Sequence, residues 1–337
     1  MPDMDNVATD VASAPVESRE DPLFRVAALS SIGAPMAAAL GRRGWLLPGA
    51  VDTGPGMIRH HVAAAAAADT VIVRSDMTVD ASLVDQLPRL RLVIRAGAGR
   101  DNIDGELLKA RSVELVVIGG EPSARSVAEY VLWAVIGLRR RFFSGALREA
   151  VPWEKDRHIG RELDGARVAV WGYGNLGSAI AEILSPFGVE INVLNLPSRR
   201  PTPHPQRSLE QLAAWADTHV LALPLTAATA GIFDLGIAHA LRDRSPVVVN
   251  VGRWALVDAP AMTEALRRGW ISGLAVDPVE RAHLAIVANW LAIHPNVVAT
   301  PHLGAQTSNA QGRVGQRVLA ILEGRYRSGA ASPAGAA

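Results

Sequence analysis

The stretch Val168-Ala169-Val170-Trp171-Gly172-Tyr173-Gly174-Asn175-Leu176-Gly177 decides the fold of this chain. Four apolar residues run into a G-x-G-x-x-G turn, and a helical pattern follows over 179–187. Gly172 permits the tight turn, Gly174 lets the backbone approach a pyrophosphate, and Gly177 lets the helix pack on the strand. The helix N-terminus then faces the anion, with Asn175 and Leu176 in the same cofactor-binding turn. Between a strand and a helix, this motif predicts a dinucleotide-binding unit.

Working outward, apolar runs at 190–194, 218–223, 247–250, 271–276 and 297–299 alternate with helical patterns downstream, and runs at 70–74, 92–95 and 115–118 do so upstream. Strand alternating with helix means parallel sheet, so the fold expected is α/β, with two doubly wound sheets. A long helix is expected over 124–141. Its apolar positions Val127, Tyr130, Val131, Ala134, Val135 and Leu138 keep helical spacing, and it ends in Arg139, Arg140 and Arg141, which suit a helix C-terminus. A closing helix is expected over 308–326. The domain reading is a substrate domain of 23–121 and 303–327 interrupted by a nucleotide-binding domain of 122–302. The flanks, 1–22 and 328–337, are expected to be disordered.

Composition agrees with such a molecule. At 337 residues the chain suits two domains, and a formal net charge of +1 offers no field that would hold nucleic acid. The N-terminal residues lack a basic segment followed by an apolar one, and the alanine-rich 62–68 is far too short to span a bilayer, so no membrane partner is expected. The absence of cysteine excludes disulfides, thiolate catalysis and cysteine zinc sites, and it permits a cytoplasmic location. His60 and His61 are adjacent and would diverge on a helix, so no metal is expected.

The residues after the second strand of the nucleotide-binding unit bear on the cofactor. Where an acidic residue usually meets the ribose hydroxyls of NAD, this chain has Asn195, followed by Ser198, Arg199 and Arg200. A carboxylate would repel the 2′-phosphate of NADP. A neutral amide with a serine and two arginines can accept that phosphate by charge-assisted hydrogen bonds, which predicts NADP, with NAD as the alternative.

Further motifs stand in order along the chain: Val73-Arg74-Ser75, Arg95-Ala96-Gly97-Ala98-Gly99-Arg100-Asp101-Asn102-Ile103-Asp104, Ser126-Val127-Ala128-Glu129, Leu223-Pro224-Leu225-Thr226, Val249-Asn250-Val251-Gly252-Arg253 and Thr300-Pro301-His302-Leu303-Gly304. With the glycine turn, they resemble the D-isomer-specific 2-hydroxyacid dehydrogenase family over nearly all of 24–326, and its phosphoglycerate dehydrogenase branch most closely. The resemblance implies a Rossmann nucleotide-binding domain inserted into a flavodoxin-like substrate domain. It also implies hydride transfer between a nicotinamide cofactor and a D-2-hydroxy acid or 2-oxo acid. A homodimer through the long helix and the following 142–153 arm is implied too. The regulatory extension of some phosphoglycerate dehydrogenases is not expected, because the chain stops soon after its final helix.

Roles follow residue by residue from the resemblance. Arg253 grips the substrate carboxylate and C2 oxygen, a task that suits a planar, permanently charged fork. His302 is the acid and base at C2, because imidazole titrates near neutrality. Glu280 is the expected carboxylate partner of His302. Leu223, Pro224, Val251, Gly252, Asp277 and Gly304 line the cofactor, with Asp277 near the nicotinamide carboxamide. The Ala98 and Gly99 N–H groups meet the substrate carboxylate. Arg74, Ser75 and Arg95 lie near the pocket, where cations could hold a phosphate or second carboxylate.

Three departures qualify the match. In the family the working glutamate lies about five residues past the aspartate and directly before proline; here that position is Ala282, and Glu280 lies three residues past Asp277. Trp254 replaces a glycine after Arg253, and three placements are open for it: a wall of the pocket, a core position, or a block on catalysis. Gly119-Gly120-Glu121-Pro122-Ser123 lacks the asparagine of the phosphoglycerate branch and adds a negative charge, which argues against 3-phosphoglycerate as substrate. A second reading is therefore kept, an NAD(P)H-sensing binding protein of the same fold with little or no turnover.

Overall fold

The computed structural model describes residues 24–51, 62–144, 159–194 and 201–330. The expected flanks at 1–22 and 331–337, His60, His61 and most of the 142–153 arm lie outside them, as do Asn195, Ser198, Arg199 and Arg200, while 328–330, expected to be disordered, continue the final helix.

Five strands, β1 (Val26–Ala28), β2 (Leu46–Val51), β3 (Thr70–Val73), β4 (Leu92–Arg95) and β5 (Glu114–Val117), form one sheet in the order β2-β1-β3-β4-β5. Every pairing is parallel. Side chains alternate across it. Ala27, Val71, Val73 and Val93 enter one buried cluster, and Val26, Ala28, Ile72, Leu92 and Ile94 enter another on the opposite face. Burial on both faces is why these strands are continuously apolar rather than alternating. The second cluster also takes Val318 and Leu322 from the final helix, Ser308–Ala330, so the chain's last element returns to its first sheet.

Seven strands form the second sheet: β6 (Arg167–Trp171), β7 (Glu190–Leu194), β8 (Gln206–Arg207), β9 (Thr218–Leu221), β10 (Val247–Asn250), β11 (Gly273–Val276) and β12 (Val297–Ala299). Their order, β12-β11-β10-β9-β6-β7-β8, reverses direction between β6 and β9, as in a dinucleotide-binding sheet, and the first sheet has the flavodoxin order. Val168, Val170, Val220 and Val249 pack on one face against Val131, Val135 and Leu138 of the long helix. Trp171, Leu221, Val248 and Leu274 pack on the other.

The long helix runs Glu121–Arg139, three residues earlier than expected at its start. Pro122 sits in its first turn, where a missing N–H costs nothing, and Arg141 at φ 57° ends the run in a left-handed conformation. Its last residue, Arg139, is buried. It donates to Asp217 at 2.6 Å, to Thr218 Oγ1 at 3.1 Å and to the Glu162 carbonyl at 2.9 Å, pinning the helix to the base of the second sheet.

In parallel α/β sheets ligands bind beyond the carboxyl ends of the strands, at the point where strand order reverses. The functional motifs all lie beyond carboxyl ends of strands, and the glycine turn lies at the reversal itself. The glycine turn follows β6, Arg253 follows β10, Asp277 follows β11 and His302 follows β12, while Arg74 follows β3 and Gly97–Gly99 follow β4.

Candidate active site

The glycine turn meets the physical demands of a dinucleotide. Gly172 has φ 99°, and a Cβ there would press on Leu223 at 2.9 Å. A Cβ on Gly177 would overlap the Gly172 carbonyl, so only glycine lets the helix Asn175–Leu184 start against the turn. A Cβ on Gly174 would meet nothing within 4 Å, which leaves room for a ligand on that side of the loop. The helix carries no acidic residue in its first turn, so its dipole presents an uncompensated positive end. Leu223 and Val251 are buried behind the turn, and Pro224 is exposed. Gly252 lies so close to the Leu223 carbonyl that a Cβ would stand 2.8 Å from it. These residues fit a bound dinucleotide, and they are the ones that would hold it.

The two sheets meet through charged and polar side chains. Arg253 Nε donates to Asp101 Oδ1 at 3.1 Å, and its Nη1 donates to the Gly252 carbonyl at 3.0 Å. Its remaining nitrogen lies over Gly99, where a Cβ would overlap it. Arg95 is only 4% exposed, and its Nε has no hydrogen-bond partner. Burial, with Arg253 next in weight, pushes the Arg95 pKa down to about 10, so it stays charged at neutral pH. Burial also lowers the pKa of Arg74. A buried cation with an unpartnered donor and two like neighbours is unfavourable by itself, and an anion relieves it. Among the described residues, no acceptor is found for the N–H groups of Ala98 and Gly99. The site therefore has the elements of an anion cradle.

His302 lies beside it with φ 64°, a left-handed conformation that costs a non-glycine residue about 1–3 kcal/mol. Asp277 holds the strained loop. It is 3% exposed, and its carboxylate accepts from Thr300 Oγ1 at 2.7 Å, Leu303 N at 2.7 Å and Gly304 N at 2.9 Å. Tyr130 extends the network through a 2.8 Å hydrogen bond to Thr300, with the Tyr130 pKa raised to about 12, chiefly by burial. Asp277, expected at the cofactor, thus spends three of its roughly four acceptor positions on the His302 loop.

The structure does not bring Glu280 and His302 together as the sequence led us to expect. Glu280 is exposed, and no hydrogen bond joins the two. It precedes a short 3-10 turn, Arg281–His283, whose direction is fixed by stacking. Trp254 lies parallel to the His283 ring at 4.1 Å and to Trp290 at 5.1 Å. Of the three placements open to Trp254, the structure shows the packed one, against the core of the second sheet. The group that does meet His302 is Ser75, whose Oγ lies 3.1 Å from Nδ1. Burial lowers the His302 pKa most; Asp277 opposes this, and Arg253, Arg74 and Arg95 add to it.

Besides the contact of Ser75 with His302, sequence reasoning missed two roles. Asp101 and Tyr130 were visible only as parts of a motif and of an apolar stripe. Their partners lie 152 and 170 residues away, and no local pattern reports such contacts.

Fold and site together define a two-domain dinucleotide-binding protein with an anion cradle and a histidine where its domains meet. The model for the NAD binding domain of the D-isomer specific 2-hydroxyacid dehydrogenases matches residues 132–304. The chain is 35% identical over 271 residues to D-3-phosphoglycerate dehydrogenase of Mycobacterium bovis, covering 76% of this chain and 49% of that protein. It is 33% identical over 253 residues to hydroxypyruvate reductase of Thermotoga maritima, covering 73% of this chain and 81% of that protein. A solved structure of a Thermus thermophilus protein superposes with a TM-score of 0.74 at 26% identity, covering 89% of this chain and 97% of that one. This chain belongs to the D-isomer-specific 2-hydroxyacid dehydrogenase family. It spans about half the length of the D-3-phosphoglycerate dehydrogenases it matches.

Proposed function

We propose that this chain interconverts a D-2-hydroxy acid and the matching 2-oxo acid. The observation that carries the reading is the convergence of His302 with Arg74, Arg95 and Arg253 beside the unpaired Ala98 and Gly99 N–H groups. A bound nicotinamide dinucleotide supplies the hydride acceptor or donor. The Ala98 and Gly99 N–H groups and Arg253 hold the substrate carboxylate, and Arg253 also polarises the C2 oxygen. His302 takes the proton from the C2 hydroxyl through Nε2 during oxidation and returns it to the carbonyl oxygen during reduction. Arg74 and Arg95 face the rest of the acid, which favours substrates with a further anionic or strongly polar group. Hydroxypyruvate, named in a relative matched over 81% of its length, is the first compound to test.

NADP is the preferred cofactor in this reading, on the sequence argument from Asn195, Ser198, Arg199 and Arg200. A homodimer is supported by Trp133 and Phe142, each 46% exposed, in and just after the long helix. No helix among the described residues is long and apolar enough to cross a membrane, and a cysteine-free chain suits the cytoplasm. Oxidation of NADPH and NADH should be followed with hydroxypyruvate, glyoxylate and bulkier 2-oxo acids. Turnover with at least one acid, faster with NADPH, is expected. Tight cofactor binding without turnover on any acid would instead favour the sensor reading, which the solvent-facing Glu280 supports.

A further inference from the structure

His302 has a partner at Nδ1 that belongs to the other sheet. Ser75 lies just after β3 and His302 just after β12, so their 3.1 Å contact crosses between the domains. Both sides are anchored. Asn102 Nδ2 donates to the Arg74 carbonyl at 2.8 Å, and the Arg74 N–H donates to Ser30 Oγ at 2.8 Å, fixing the turn that carries Ser75. On the opposite side Asp277 brackets His302 through Leu303 and Gly304. Glu280 contributes nothing to either anchor.

We propose that Ser75 is the positioning residue of His302: a neutral hydroxyl from the substrate domain takes the place at Nδ1 that an orienting carboxylate would hold. This inference rests on the reading of His302 as the acid and base of the site. A hydroxyl can accept from Nδ1–H as a carboxylate does, which turns Nε2 toward the substrate with its lone pair available. It carries no charge, however, so it orients the ring without stabilising the imidazolium. The charged groups acting on the ring are Asp277 beyond β11, Arg253 beyond β10, Arg74 beyond β3 and Arg95 at the end of β4. Only Asp277 favours protonation, and burial with the three arginines outweighs it. The ring is therefore kept neutral at neutral pH, ready as a base, and the imidazolium that reduction requires forms only toward acid. Because Ser75 sits on the other domain, the orientation is complete only when the two domains are in contact.

Imidazole nitrogen NMR of the full chain tests this without any turnover, with His302→Gln identifying the His302 signals. The wild type should show one neutral tautomer, protonated at Nδ1, titrating below the ordinary midpoint of about 6.5. Ser75→Ala should mix the tautomers and lower kcat about tenfold with little change in KM, and Ser75→Thr should restore both. Ser75→Asp should raise the titration midpoint by about one unit or more and move the pH–rate profile the same way. An unchanged tautomer and pH profile in Ser75→Ala, or no upward shift in Ser75→Asp, would overturn the proposal. A wild-type chain that turns over no 2-oxo acid counts against the proposed function, while the NMR result still decides the role of Ser75.

Discussion

At the scale of the residue, Arg253 is held before any substrate arrives. Asp101 takes its Nε and Gly252 its Nη1, which leaves one edge of the fork over Gly99. Lysine would keep the charge but lose the fork, so Arg253→Lys should lower kcat/KM by roughly 10²-fold or more while leaving cofactor affinity within about twofold; steady-state kinetics and a cofactor titration check both. His302 carries a sign that can be worked out. Its pKa is lowered, so the neutral base persists to more acidic pH than for a free histidine, and oxidation should keep its rate there. Reduction should rise as pH falls. The places of Arg253 and His302, just after β10 and β12, were legible because each stands in a distinctive local motif. Ser75 as the partner of His302 was not, because the pair is 227 residues apart. The exposure of Glu280 was hidden for a related reason, since nearness in sequence does not report which way a side chain turns.

At the scale of the element, the glycine turn separates folding from binding. Alanine at Gly177 would overlap the Gly172 carbonyl, so Gly177→Ala should lower Tm and weaken the cofactor together. Alanine at Gly174 meets no protein atom, and at φ −86° its backbone is ordinary. Gly174→Ala should therefore leave the Tm of the cofactor-free chain unchanged and raise the cofactor Kd, as calorimetry would show. Equal loss of stability in the two variants would contradict the account. Strands at 167–171, 190–194 and 247–250 were readable, because burial on both faces makes their interiors largely apolar and β-branched. β8 was not, being two exposed residues at a sheet edge. The stack of Trp254 on His283 and Trp290 was equally hidden, because it joins the turn after β10 to the turn and helix after β11, which only the folded sheet brings together.

At the scale of the whole molecule, both domains were foreseeable from the alternation of strand and helix, and their meeting surface was not. It consists of pairs such as Asp101 with Arg253 and Ser75 with His302, set by tertiary geometry alone. Stability carries its own pH signature. His219 is fully buried in β9, accepts from Trp171 Nε1 at 3.1 Å, and has its pKa lowered to about 3 by burial. Between about pH 6.5 and 3 the unfolded chain binds a proton that the folded chain refuses, so stability falls as pH falls, by up to about 1.4 kcal/mol per unit. Urea unfolding across that range should show the slope, and His219→Asn should reduce it. Hydride transfer from a D-2-hydroxy acid held by Arg253 and His302 can be followed by isotope transfer. D-glycerate deuterated at C2 is incubated with oxidised cofactor, and the reduced cofactor is weighed by mass spectrometry. Deuterium is expected in the cofactor from the D acid and none from the L acid, with a loss of about 10²–10⁴ in rate for His302→Ala. Label transfer from neither enantiomer, or equal transfer from both, would contradict the proposed hydride transfer.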